Sequence, residues 1–397
     1  MRKLVLLCFL LALPLAAQET RYRLERVIVE GSPVSDHIVR EEARLVEERD
    51  YTEDDFRQAL YRIRRLPFVT DAAYRIEAGI SAGSSVLVIR ILDERPVFYD
   101  ATFSASSQER GDTSRDYAAA VGGRYLLDDL GVVETRVQTL DVDDGGSLTL
   151  TYRGYGFGDQ GVFVISSLEQ RFGAEARTYD PTPSFTLGLP LTRQQTLTLS
   201  AARAKSRIIT SFDVKGDDDP DDDDTFDDNV DLADRTHLTT AALQWHYETF
   251  DDPIFATHGI DVSAGPFWIE DSVKHDVYDP EEKEVTGTET TSGMVGVNVD
   301  ATAWRPIAGR NVLSLGIAAN ATERAEEREW LGQARASFAH DFHTQSERQL
   351  RPWRARVEIG GGYRRTSGGV DQPLADAAFV MRHRWGTLRL AGTYLWQ

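Results

Sequence analysis

The feature that most constrains this chain is the pattern from Val97 to Gln397, where short segments alternate apolar and polar residues between turn-forming stretches. Leu148, Leu150 and Tyr152 share one face and Thr149, Thr151 and Arg153 the other. Leu197, Leu199 and Ala201 oppose Thr196, Thr198 and Ser200. Val295, Val297, Val299, Ala301 and Ala303 oppose Gly296, Asn298, Asp300 and Thr302. Trp353, Ala355, Val357 and Ile359 oppose Arg354, Arg356 and Glu358, and Leu388 and Leu390 oppose Arg389. A period of two is the signature of a half-buried strand. About fifteen such strands are predicted. Several reach the ~9–11 residues that a tilted membrane-spanning strand needs.

A two-sheet sandwich would also alternate, but the ends of the segments favour a barrel. Tyr99, Trp245, Tyr247, Trp304, Trp353, Trp385 and Trp396 lie near strand ends, as an interfacial aromatic girdle requires. Connections also alternate in length. Those at 128–131, 191–194 and 306–310 are short, whereas Arg207 to Arg235 and Asp271 to Thr290 read as long polar loops. The sequence therefore predicts a mainly β fold: a transmembrane antiparallel barrel of about 14–16 strands. A chain that starts and ends on the same side needs an even number, and the odd count leaves closure at the C-terminus undecided.

Three domains are expected: a signal peptide over 1–17, a small α/β domain over 18–96 and the barrel over 97–397. "MRKLVLLCFLLALPLAA" joins a basic start, a short apolar run and small residues before Gln18, which predicts cleavage after Ala17. The one cysteine, Cys8, falls inside it, so no disulfide is expected in the mature chain. A formal charge of −20 argues against a nucleic-acid partner, which needs clustered basic charge. The run from Gly216 to Asp228, "GDDDPDDDDTFDD", matches no calcium-loop spacing and reads as a self-repelling solvated loop.

Between the first two domains and the barrel the period changes. Leu24 to Glu30, Ala72 to Ala78 and Ser85 to Leu92 read as strands, and Asp36 to Glu47 and Glu53 to Arg65 as helices. Phe56, Leu60 and Ile63 fall on one helical face, set to pack on Leu87, Ile89 and Ile91. The stretch "RLERVIVEGSPVSDHIVREEARL" with "DYTEDDFRQALYRIRRLPFVTDAAYRIE" and "SVLVIRILDERPV" resembles a POTRA domain, the periplasmic module of the outer-membrane protein assembly factors. "FDDPIFATHGIDVSAG" resembles the periplasmic hairpin of their barrels, with Asp252, Pro253, Phe255, Thr257 and Gly259 matching. There Pro253 is expected to end one strand and Gly259 to give the tight start of the next. The chain looks like a short, divergent member of that superfamily with one POTRA domain.

The resemblance implies insertion or translocation of polypeptides at the cell outer membrane, with the POTRA domain in the periplasm. The partners it implies are outer-membrane lipid, unfolded β-barrel or secreted client polypeptides, and assembly-machinery proteins reached through the POTRA domain. The superfamily's lumenal R-G-F/Y loop has no counterpart late in the barrel, where the chain reads "ATERAEEREWLGQAR". The one such triplet, Arg153-Gly154-Tyr155, lies too early and is a weak candidate for that role; it reads rather as an ordinary inward arginine beside an aromatic belt. Function is expected at a seam between first and last strands, at Ala101, Thr102, Phe103, Leu390, Gly392, Thr393 and Trp396. A pair of cysteines at Thr102 and Thr393 is the natural lock for it. The POTRA domain is expected to add client strands to its sheet edge.

No nucleophile elbow, P-loop or dinucleotide motif is present. His340 and His343, with Asp341 between them, lack a third ligand at metal spacing. No enzyme activity and no cofactor are expected. The alternative function is a passive outer-membrane pore or structural barrel with no insertase activity; a surface adhesin rests on loop length alone.

Overall fold

The computed structural model describes residues 20–32, 36–108, 113–127, 131–139, 145–157, 161–172, 177–214, 228–279, 284–324, 327–343, 348–369 and 371–395. Residues 1–17, expected to be a signal peptide, most of the acidic run and Trp396 lie outside them.

The first unit contains β1 (Arg21–Glu30), α1 (Asp36–Ala43), β2 (Asp50–Thr52), α2 (Glu53–Arg64), β3 (Val69–Ala78) and β4 (Ser84–Asp93). Its sheet has the order β2-β1-β4-β3, with β1 and β4 parallel. Helix α2 starts at a reciprocal cap between Thr52 and Asp55. Acids fill its first turn and Arg62 and Arg64 its last, matching the helix dipole. Phe56, Leu60 and Ile63 join Leu87, Ile89 and Ile91 in one buried core. Helix α1 stops at Ala43, short of the predicted Glu47, because Arg44 turns into the left-handed region at φ 53°. The chain then forms β2, an unpredicted strand too short to show a period.

The barrel strands are β5 (Val97–Gln108), β6 (Thr113–Leu126), β7 (Val132–Thr139), β8 (Gly146–Phe157), β9 (Val162–Phe172), β10 (Arg177–Tyr179), β11 (Thr182–Pro190), β12 (Gln195–Val214), β13 (Asp228–Glu248), β14 (Gly259–Asp279), β15 (Glu284–Ala308), β16 (Asn311–Arg324), β17 (Glu327–Asp341), β18 (Trp353–Thr366), β19 (Asp371–His383) and β20 (Gly386–Leu395). Strands β10 and β11 both pair with β12 at successive heights, so they are two pieces of one interrupted strand. The ring therefore closes with fifteen strands. All neighbours are antiparallel except β5 and β20, which run parallel. This corrects the fully antiparallel expectation and settles closure. With an odd count the first and last strands must point the same way, and parallel bonding joins them without a free edge.

The outer wall is apolar. Val295, Val297 and Val299 on β15 and Leu313, Leu315 and Ile317 on β16 all face outward and exposed. Such a belt is stable only against lipid, and the closed ladders satisfy the backbone there. The protein is a transmembrane β-barrel. No helix among the described residues is long and apolar enough to cross a membrane.

Two other expectations change. The polar stretches at 207–214, 228–235, 271–279 and 284–290 continue as strand. The β12–β13 ladder runs to Val214–Asp228 and the β14–β15 ladder to Asp279–Glu284. Beyond the membrane polar side chains are tolerated on both faces, so the alternation fades while residues such as the threonines of β15 still favour strand. Trp304 is not in a girdle: it points inward and packs edge-on to Phe250 at 4.2 Å.

Candidate functional site at the seam and the proximal mouth

The barrel mouth next to the α/β unit is called proximal. Strand β20 runs beside β5 from Leu388–Ala101 to Leu395–Gln108, eight residues of each strand. The β14–β15 ladder extends over twenty-one. Ladders β6–β7 and β7–β8 are as short as the seam, so its distinction is its parallel geometry, slightly weaker per residue. Ala101, Thr102, Phe103, Leu390, Gly392 and Thr393 all lie in this ladder. Phe103 and Leu390 are register partners and face outward, 48% and 42% exposed.

The proximal end of the seam is fastened to the α/β unit. Gly386 sits at φ +135°, and a Cβ there would lie 1.9 Å from Tyr99 O, so only glycine lets β20 approach β5. Tyr99 N–H donates to Trp385 O at 2.8 Å, and Thr387 N–H to Asp100 Oδ1 at 2.9 Å. The Tyr99 ring stacks on Trp385, with Arg95 above the indole. Arg384 donates to Asp93 O at 3.1 Å and to its Oδ1 at 2.6 Å, where β4 leaves the α/β unit. Asp93 and Arg95, at the end of the α/β unit, are thus bonded directly to the turn that leads into β20.

The matched hairpin lies in the turn between β13 and β14. Strand β13 ends at Glu248, four residues before Asp252, so Pro253 does not terminate it. Gly259 does give the tight start: its φ is +114°, and a Cβ would meet Thr249 O at 2.5 Å. Asp252 is buried and accepts from Ile254 N at 3.0 Å and Phe255 N at 2.8 Å, which folds the turn on itself. Its other oxygen accepts from Arg354 at 2.6 Å and from Arg64 of α2 at 3.2 Å. Arg64 also pairs with Asp71 at 3.0 Å and caps Ala72 O at 2.8 Å. Burial opposes the charge of Asp252, but Arg354 and then Arg64 hold its carboxyl well below the usual range.

Phe255 is covered by Arg354, 4.5 Å from the ring centre. Beside it Arg356, 1% exposed, forks onto Asp341 at 2.6 and 2.8 Å and donates to Ala256 O at 2.9 Å. Thr257 binds Asp251 through its N–H at 2.8 Å and through its hydroxyl. Asp251 also pairs with His258 at 3.3 Å.

The α/β unit reaches other turns around this mouth. Gln58 donates to Thr249 O at 2.6 Å, Arg62 to Arg193 O at 2.8 Å and Arg382 of β19 to Val69 O at 2.7 Å. Arg351 N–H binds Asp71 at 2.9 Å. Val132 of β7 is buried in the α/β core. The unit thus sits across the mouth as a cap. Residues 69–74 of β3 are buried, leaving 75–78 as the open part of that edge, so the expected strand-adding surface is half covered.

Arg153-Gly154-Tyr155 lies within β8, not on a lumenal loop. Tyr155 packs on the α/β core, and Arg153 lines a cavity beneath it. His340 pairs with Asn311 at 2.8 Å, and Asp341 with Arg356; among the described residues no three potential ligands gather as a metal site. Arg64, Asp71, Asp341, Arg354 and Arg356 were missed by sequence reasoning. Their one signal is arginine at two successive inward positions of β18.

No protein-family model matches the chain, and no curated protein matches it. Among solved structures it is similar to CdiB from Acinetobacter baumannii, with 9% identity and TM-score 0.50 over 91% of this chain and 60% of that one. It thus spans about three fifths of that protein. It is also similar to BamA from Haemophilus ducreyi lacking POTRA domains 1–3, at 12% identity and TM-score 0.42, over 94% and 81%. The likeness is one of fold. That fold, an outer-membrane β-barrel preceded by a small α/β unit, is the one the sequence resemblance implies.

Proposed function

We propose that this protein inserts or translocates polypeptides at the outer membrane. In this reading the α/β unit is a POTRA module in the periplasm, the proximal mouth faces the same side, and clients leave by the β5–β20 seam. The observation that carries it is the parallel, eight-residue seam whose proximal end is tied to the α/β unit through Arg384–Asp93 and Arg95–Trp385. Undocking of the unit would release one end of the ladder most easily parted, and its exposed backbone would template a client strand. No side chain performs chemistry in such a step. The free part of β3, residues 75–78, remains for client contact.

The test is a lock. The pair Thr102 and Thr393 is unsuitable, because Thr102 faces Arg389 and Thr393 faces Ser106. Four residues of strand are ~13 Å, beyond disulfide reach. Phe103→Cys with Leu390→Cys matches the register. Client insertion into liposomes should stop on oxidation and return on reduction. Equal insertion by the fully cross-linked protein would remove lateral opening and leave the passive pore.

A further inference from the structure

Between the cap and the barrel lumen lies a cavity of about 160 Å3. Arg44, Arg62 and Arg65 line it from the α/β unit, and Arg153 from β8. The acids on its wall are Glu42 and Glu248, and Asp261 faces Glu248 across the β13–β14 ladder. Most of these groups are committed. Arg62 donates to Glu42 O, Ala43 O and Arg193 O at 3.0, 2.6 and 2.8 Å. Arg65 pairs with Glu248, and Arg44 donates to Thr192 O at 3.0 Å. Arg153 differs: its Nε is buried and has no hydrogen-bond partner among the described residues. Buried guanidinium Nε atoms without such a partner also occur at Arg136, Arg335 and Arg364; Arg153 is the one on the wall of this cavity.

We propose that this cavity binds a carboxylate of an extended polypeptide, held by Arg153 with Arg44 and Arg65 at its rim. Three properties select that ligand. The space admits one small oxyanion group and not a lipid. A guanidinium fork with an unused donor matches the planar, two-oxygen geometry of a carboxylate. The wall presents four guanidinium groups to two lining carboxylates. The entering carboxylate competes with Glu248 for Arg65, one of the ion pairs joining cap to barrel, so binding favours undocking.

The assignment to a polypeptide rests on the function proposed above. The test is calorimetry on the full-length protein in detergent micelles. The probes are an acetylated Ala-Gly hexapeptide with a free C-terminal carboxylate, its C-terminal amide, and inorganic phosphate. The free acid should bind and the amide should not. Arg153→Gln should weaken the acid at least tenfold, with Arg153→Lys between. Folding of each variant is read from heat-modifiable gel mobility, and Arg44→Gln serves if Arg153→Gln does not fold. Equal binding of acid and amide, unchanged affinity in the variants, or tighter binding of phosphate than of the acid would overturn the site. Acid-selective binding without client insertion would keep the site and remove the function. Insertion without acid-selective binding would remove the site alone.

Discussion

At the scale of single residues, the β13–β14 turn concentrates the consequences. Asp252 satisfies two backbone donors of the turn and two arginines from separate parts of the chain. Asp252→Ala would leave Arg64 and Arg354 sharing Asp71 alone, and breaking a buried pair in this way costs roughly 3–5 kcal/mol. Guanidinium unfolding in detergent should show a loss of that size. Gly259→Ala should also destabilise, because φ +114° and a 2.5 Å approach to Thr249 O exclude a Cβ.

The same turn carries a pH dependence of definite sign. Hydrogen bonding to Asp251, against some burial, raises His258 above its ordinary value. Its contribution is therefore complete below ~6.5, the unfolded value, and fades as pH rises through the higher folded one. Asp251 is opposed by burial but lowered by His258 and Thr257, so its contribution is lost as pH falls through the acid range. The thermal stability of the wild type should fall above neutral pH, and His258→Gln should abolish that alkaline slope. An unchanged slope would show that the ion pair adds nothing.

At the scale of elements, the barrel has two weak lines of different origin. One is the parallel seam. The other lies between β13 and β14, where the ladder omits Leu243 and Gln244 opposite Gly265 and Pro266. Pro266 has no N–H to give, and a Cβ on Gly265 would stand 1.9 Å from Leu243 O. Hydrogen–deuterium exchange should therefore be faster at Leu243, whose backbone faces the gap, than along β15–β16 at the same depth. Protection equal to that of Val297 and Val299 would show that the gap is closed in the membrane.

The strands of this barrel were legible because lipid outside and a polar lumen inside impose a period of two on each segment. The long polar stretches of β12 to β15 were not, since beyond the lipid neither face is selected. Of the site, the sequence exposed the turn residues Asp252 and Gly259, whose local geometry demands their type. It hid Arg64, Asp71 and Arg354, ordinary charged residues until the fold brings them to one carboxylate.

At the scale of the whole molecule, the α/β unit covers a mouth that an open barrel would leave free. Asp252, bonded to Arg64 of the α/β unit and braced by Arg354, is a latch between cap and barrel, and Arg354→Gln removes the brace and the Arg354–Asp71 pair without touching the α/β core. In planar bilayers it should raise conductance or lengthen open events relative to wild type; identical traces would mean that the latch does not hold the cap shut. The unit should also fold alone. The segment 20–96 is expected to unfold cooperatively, and Leu60→Asp should cost several kcal/mol by placing a charge in its core.

The sequence by itself determined the kind of object this is. Alternation fixed which faces meet lipid, and the helical face of Phe56, Leu60 and Ile63 fixed the core of the α/β unit. Those are local properties, carried by neighbours a few residues apart. Only the tertiary structure decided that fifteen strands close, that β5 and β20 meet in parallel, and that Phe103 faces Leu390. It alone brought Arg64 to Asp252, 188 residues away, and seated Arg153 under the cap. Register and long-range charge pairing minimise the energy of the closed whole. A strand's own pattern does not name its neighbour, because every alternating strand offers the same backbone bonds.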